Sequence, residues 1–185
     1  MALELILLAI AVVVLIVLAY VAMTYNGLVG TRLRVENAWA QIDVQLKRRY
    51  DLIPNLVETV KGYAKHEKET LTQITKYRSQ LMTGSVEDKA MANNMLSQAL
   101  KSLFAVTENY PQLKANENFM ALQEELSGTE NKISYARTAY NDNVMAFNTS
   151  IQVFPSNIIA GMLGFVKKPF FETAEVEREN VKVKF

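Results

Sequence analysis

His66 is the single histidine of the chain, and Glu67 follows it directly. A His-Glu pair on a helix opens the HExxH motif, where two imidazoles one turn apart hold zinc and the glutamate is general base. Here the stretch reads HEKET, so Thr70 occupies the position of the second ligand. The chain has no cysteine to replace it. Zinc held in the usual His/Cys manner is therefore not expected, and His66 reads as a surface or loop histidine. A Ser-His-Asp arrangement would also have to use His66, and no GxSxG turn is present to offer a serine. No glycine-rich phosphate loop follows a strand-like run. Most acids sit beside Lys or Arg at helical spacing, as on a solvated face. The expectation is a protein that is not an enzyme, with no catalytic residue, no cofactor and no metal.

Charges that interrupt apolar stripes are more informative. One stripe runs Val35, Trp39, Ile42, Leu46, Arg49, Ile53, Leu56, Val60, Tyr63, Glu67, in alternating steps of four and three. Another runs Phe119, Leu122, Leu126, Glu130, Ile133, Arg137, Tyr140, Val144, Phe147, Ile151, Phe154. Such steps make a seam between packed helices. Arg49, Glu67, Glu130 and Arg137 stand where the rhythm demands apolar residues. Opposite charges at those levels can pair in an interior polar layer, which fixes register more than it adds stability. The expected layer has Arg49 and Arg137 facing Glu130 or Glu67. The alternative is that these side chains reach the rim of the bundle. Pro54 interrupts the first stripe; it removes one backbone bond and crowds the carbonyl of Tyr50. A fixed bend of one long helix is expected there, rather than a hinge.

The elements that would position these residues are helices throughout. From Leu5 to Met23 there are 19 apolar residues in succession, about 28 Å of helix and roughly one bilayer core. Glu4 is the one charge before them. The preceding residues, MALE, lack the basic flank of a signal peptide, and the run is too long for one. A retained single-pass anchor is expected, with the bundle on the cytoplasmic side of the inner membrane because Arg32 and Arg34 follow the span. The first soluble helix reads from about Tyr25 to Leu81. MTGSVED breaks the pattern at 82–88, and Ser85 with Asp88 resembles a capping box. The next helix carries Ala92, Leu96, Ala99, Leu103, Val106 and Tyr110, and stops before Pro111. The last long helix reads from about Asn116 to Val153, and within it Tyr140-Asn141 and Phe147-Asn148 repeat a pair at seven residues. The apolar piece IIAGMLGFVKKPFF is open to two readings, a cap over the end of the bundle or a segment in the bilayer interface. A charged tail, TAEVERENVKVKF, follows.

The fold expected is all-α: an N-terminal transmembrane helix followed by an antiparallel long-helix bundle of three or four helices. Its parts are an anchor at 1–24, the bundle at 25–165 and a tail at 166–185. Lys47-Arg48-Arg49 stands too far beyond the span to touch lipid if the helix is straight. The formal net charge of +1 argues against nucleic-acid binding, which needs a strongly basic face.

The chain resembles the LemA family. The resemblance rests on the anchor, YNGLV at 25–29, AWAQIDVQLKRRYDLIPNLVETVKGYAKHE at 38–67, ENKISYARTAYNDNV at 130–144 and FNTSIQVFPSNIIA at 147–160. It implies a small membrane-anchored helical bundle with no recognised catalytic activity. It also implies either of two roles. Members are often encoded near membrane metalloproteases, which points to an adaptor; a relative takes part in forming magnetosome membranes, which points to membrane organisation. The expected function is a self-assembling envelope scaffold that organises membrane or membrane proteins. The alternative is an adaptor or regulator of another membrane protein such as a metalloprotease. The partners expected are the lipid bilayer, further copies of the chain and a second membrane protein.

Overall fold

The computed structural model describes residues 1–64 and 66–172. The charged tail read from the sequence lies outside the described residues. Six helices make up the described chain: α1 Ala2–Lys61, α2 Lys68–Gln80, α3 Val86–Thr107, α4 Pro111–Lys114, α5 Glu117–Ser150 and α6 Ser156–Met162. No strand is present among the described residues.

The first part of α1 has no buried residue from Met1 to Tyr25, including the whole apolar run. It is apolar on every side, so no face of it can be the wet one. It is the one helix among the described residues long and apolar enough to cross a membrane. Beyond it the seam takes over: Val35, Ile42, Leu46, Arg49, Ile53, Leu56 and Val60 are all buried.

The seam does not continue to Leu81 as its rhythm suggests. α1 ends at Lys61, Gly62, Tyr63 and His66 lie in turns, and α2 begins at Lys68. Gly62 weakens the helix at that point, as glycine does by about 1 kcal/mol. The amide of Ala64 still bonds the carbonyl of Val60 at 2.8 Å, and the Ala64 methyl is buried in the turn. Tyr63 is exposed as a result. α3 likewise ends earlier than expected, at Thr107, with Pro111 opening the separate short α4.

Pro54 lies inside α1, which continues past it for two more turns. Its missing N–H leaves the carbonyl of Tyr50 without a helical donor. Arg78 on α2 fills the place: its Nε donates to that carbonyl at 2.8 Å, and its guanidinium lies 3.8 Å from the centre of the Tyr50 ring. A proline-made vacancy in one helix is thus satisfied from the next.

The described chain divides into two compact units, Met1–Ala38 with Asp142–Lys168, and Trp39–Asn141 with residues 169–172. The second unit is a four-helix bundle, and its directions follow from residue pairs. α2 runs against α1, since Arg78 meets Tyr50. α3 runs with α1, since Asp43 meets Lys89 and Arg49 meets Asn93 and Ser97. α5 runs against α1, since Tyr63 meets Asn116, Arg48 meets Glu125 and Trp39 meets Tyr140. The order is up, down, up, down. α3 starts with the expected capping box: Asp88 N–H donates to Ser85 Oγ at 3.2 Å, and Ser85 N–H donates to Asp88 Oδ2 at 2.9 Å. The Ser85 N–H, and after it the Ser85 hydroxyl, donate to the Asp88 carboxylate and draw it below its ordinary pKa.

In the first unit, the end of α5 lies along α1 residues 25–38. Leu28, Val35, Val144, Phe147 and Ile151 are buried there. Phe165 returns between them, its ring 6.3 Å from Tyr25 and 6.3 Å from Phe147. Phe154, which the seam count would bury, is exposed because α5 ends at Ser150.

Candidate functional site

Among the described residues, the core of the bundle holds one buried charged side chain. Arg49 is 2% exposed, and its Nη1 donates to Asn93 Oδ1 at 2.6 Å, to Ser97 Oγ at 3.0 Å and to Glu130 Oε2. Ser97 also donates to the carbonyl of Asn93 at 3.0 Å, as a serine inside a helix commonly does. Burial pulls the Arg49 pKa down, and the neighbouring Glu130 carboxylate opposes it. The Glu130 side chain is 38% exposed, so the pair is dry on the arginine side and wet on the other. A cleft of about 170 Å³ bordered by Phe104, Leu126 and Ser127 leads to it. Three helices meet at this one guanidinium. Sliding α5 against α1 by a turn, about 5.4 Å, would carry Glu130 out of reach of the guanidinium.

The other seam charges lie elsewhere. Glu67 sits in the turn between α1 and α2, where the Tyr110 hydroxyl donates to its Oε1 at 3.3 Å. Desolvation first, and then the Glu67 charge, raise the Tyr110 pKa. Arg137 is half-buried on α5. His66 is exposed in the same turn as Glu67. Among the described residues, no group of three His, Cys, Asp or Glu side chains is placed to hold a metal.

Two asparagines that read as simple periodicity do a specific job. Asn141 donates from Nδ2 to the carbonyl of Phe171 at 3.1 Å and accepts the Phe171 N–H at 2.9 Å. Asn148 does the same to Lys168, at 2.8 Å in both directions. Each amide thus reads one residue of the returning chain as a neighbouring strand would. The Phe171 ring is buried, 6.1 Å from the Trp39 ring, and the Tyr140 hydroxyl donates to the carbonyl of Pro169 at 2.9 Å. Burial first, and the Glu87 charge second, push the Tyr140 pKa up to about 12. The repeat of Tyr140-Asn141 and Phe147-Asn148 was the available signal: an aromatic followed by an amide, twice, on one helix.

One outer face of the bundle, between α1 and α5, is a shallow groove of about 650 Å³ floored by Ala40, Ala136 and Ala139. Val44 and Tyr135 stand 63% and 80% exposed on its sides. Gln45 Oε1 is buried beside it with no hydrogen-bond partner among the described residues.

These features describe a membrane-associated helical protein with one helix, among the described residues, long and apolar enough to cross a bilayer, with a buried ion pair in its bundle and amides that grip its own chain. The sequence model of the LemA family matches residues 38–185, and the chain belongs to that family. It is 32% identical to Protein LemA of Metamycoplasma hominis, over 84% of this chain and 72% of the relative. It is 24% identical to Magnetosome protein MamQ 2 of Paramagnetospirillum magneticum, over 86% of this chain and 70% of the relative. It is 22% identical to Magnetosome protein MamQ of Magnetospirillum gryphiswaldense, over 89% and 71% respectively. Membrane association is common ground between this similarity and the exposed apolar helix.

Proposed function

We propose that the chain is a non-catalytic scaffold whose copies, anchored in one membrane, associate through their bundles and organise membrane or membrane proteins. The groove between α1 and α5 carries this reading. Alanines in its lining let another helix approach closely, and exposed Val44 and Tyr135 supply apolar contact, with Lys132 the one charged side chain among the described lining residues. The likeness to magnetosome proteins supports a membrane-organising role. Arg32 and Arg34 after the span support the inner membrane, with the bundle in the cytoplasm.

Native mass spectrometry of the full-length protein released from detergent tests this. The expected masses are multiples of 20.9 kDa, and Ala136→Trp, which fills the groove, should shift them to a single copy with helix content unchanged. A wild-type chain that flies only as one copy would sink the proposal.

A second reading, an adaptor for another membrane protein, has its own observation. A groove of about 720 Å³ where α1 meets α2 is rimmed by Lys61, Lys68 and Lys76, and no acid lines it among the described residues. An acidic helix of a partner protein suits it. Crosslinking in native membranes should then recover one dominant foreign protein, lost when the three lysines become glutamates. Recovery of self-crosslinks alone would count against the adaptor.

A further inference from the structure

The first unit carries a second apolar surface besides the span. The turn after α5, the outer face of α6 and the residues following it expose Phe154 and Met162 at 81% and Val166 at 71%. Ile158 and Leu163 are exposed with them. Ile158 and Met162 are four apart and share one face of α6, while Ile159 and Ala160 face inward and are buried. The apolar residues on the outside therefore do not cap a core; the core contacts of α6 are already made by the other side.

The height of this surface is set inside the unit. Phe165 directly follows Gly164, whose φ of 71° turns the chain back. The Phe165 ring packs 6.3 Å from the ring of Tyr25. Tyr25 is two residues past Met23, the end of the apolar run, which is about 3 Å along the helix axis. The Arg32 guanidinium lies over the same Phe165 ring, 5.8 Å from its centre. The segment after α6 is thus held where the span leaves the hydrocarbon, at the level where aromatic rings gather in membrane proteins. Met23 and Tyr25, at this level of α1, are exposed as well. Exposed Lys167 follows Val166, and a lysine there can place its charge among lipid phosphates while its stem stays apolar.

We propose that this surface, formed by Phe154, Ile158, Met162, Leu163 and Val166, docks into the headgroup–acyl boundary of the same bilayer that α1 crosses. The span alone tethers the protein but leaves it free to swivel. A second, monotopic contact beside it fixes how α1 leaves the membrane. This goes beyond the scaffold reading, because the contact forms equally in one copy or many.

The absence of native cysteine permits a direct test. Full-length chains carrying Met162→Cys, Val166→Cys or Asn37→Cys are labelled with an environment-sensitive dye and reconstituted in phosphatidylcholine–phosphatidylglycerol vesicles. Asn37 is exposed in the same unit, 14 residues past Met23, about 21 Å along α1. Nitroxide lipids with shallow labels should quench positions 162 and 166 several-fold more than position 37, and iodide should quench position 37 several-fold more than the other two. Iodide quenching at 162 and 166 equal to that at 37 would overturn the proposal. So would protection from both quenchers, which would mean that protein, another copy or another chain, covers the surface. The mass measurement above is unaffected by either outcome, so failure here and failure of the scaffold reading are separable.

Discussion

Arg49 and Glu130 form a pair with one dry and one wet end, and that asymmetry gives an ordered prediction. Changing Glu130→Gln leaves a guanidinium that is 2% exposed without its counter-charge. Removing one partner of a buried pair destabilises by about 3–5 kcal/mol; a value near 3 is expected, because the glutamine oxygen still accepts a bond. Changing Arg49→Met leaves Glu130, which is 38% exposed, and its carboxylate can turn to water. The buried orphan is then Asn93 Oδ1, since Ser97 keeps its bond to the Asn93 carbonyl. One unsatisfied acceptor corresponds to about 1–2 kcal/mol, at the low side of the usual range. The double change Arg49→Met, Glu130→Leu removes the stranded charge and should lie within about 1 kcal/mol of Arg49→Met alone. The assay is urea unfolding of the detergent-solubilised chain followed by the emission of Trp39, its single tryptophan. The reasoning fails if Arg49→Met is as costly as Glu130→Gln, or if the double variant shows the sum of the two.

Three further predictions rest on other contacts. Tyr140 has a folded pKa of about 12 against an ordinary value of about 10. Its contribution to stability is therefore complete below about pH 10 and is lost as pH rises through about 12. Trp39 emission, 5.6 Å away between rings, should show a quenching step near pH 12 that Tyr140→Phe abolishes; a step near 10 would contradict the burial. Arg78→Met should destabilise by about 1.5–3 kcal/mol, as loss of a bond from a charged donor does, but by clearly less in a Pro54→Ala background, where residue 54 regains an N–H for the Tyr50 carbonyl. Equal losses in the two backgrounds would show that Arg78 does not serve the proline. Phe171→Ala should cost about 3–5 kcal/mol and shift Trp39 emission to the red; an unchanged spectrum would mean that Phe171 does not cover the indole.

Much of the framework was legible because helix periodicity is a local property. The long apolar helix, the capping box at Ser85 and Asp88, and the buried seam from Val35 to Val60 all follow from residues within a few turns of one another. The ends of helices were less legible. The three-four rhythm ran on through Tyr63 and Glu67, and nothing in it marks the turn that Gly62 and Ala64 make. The site depends on pairing between distant residues, which one sequence does not display. Arg49 could be singled out as a charge on a seam, yet its choice of Glu130 over Glu67 depends on which helices stand side by side. Asn93 and Ser97 were hidden among the small residues of α3. Arg78 gave no sign of its link to Tyr50, 28 positions earlier. The two asparagines of α5 were visible as a repeat, but their partners lie 30 and 20 residues downstream, beyond any local pattern.

The central claim is that copies gather in the membrane. Single-molecule bleaching measures this with one dye per chain, attached at Asn37→Cys, in lipid vesicles prepared at decreasing protein-to-lipid ratios. The account predicts traces with several bleaching steps that persist as the protein is diluted. Traces that fall to one step at every low ratio would contradict it.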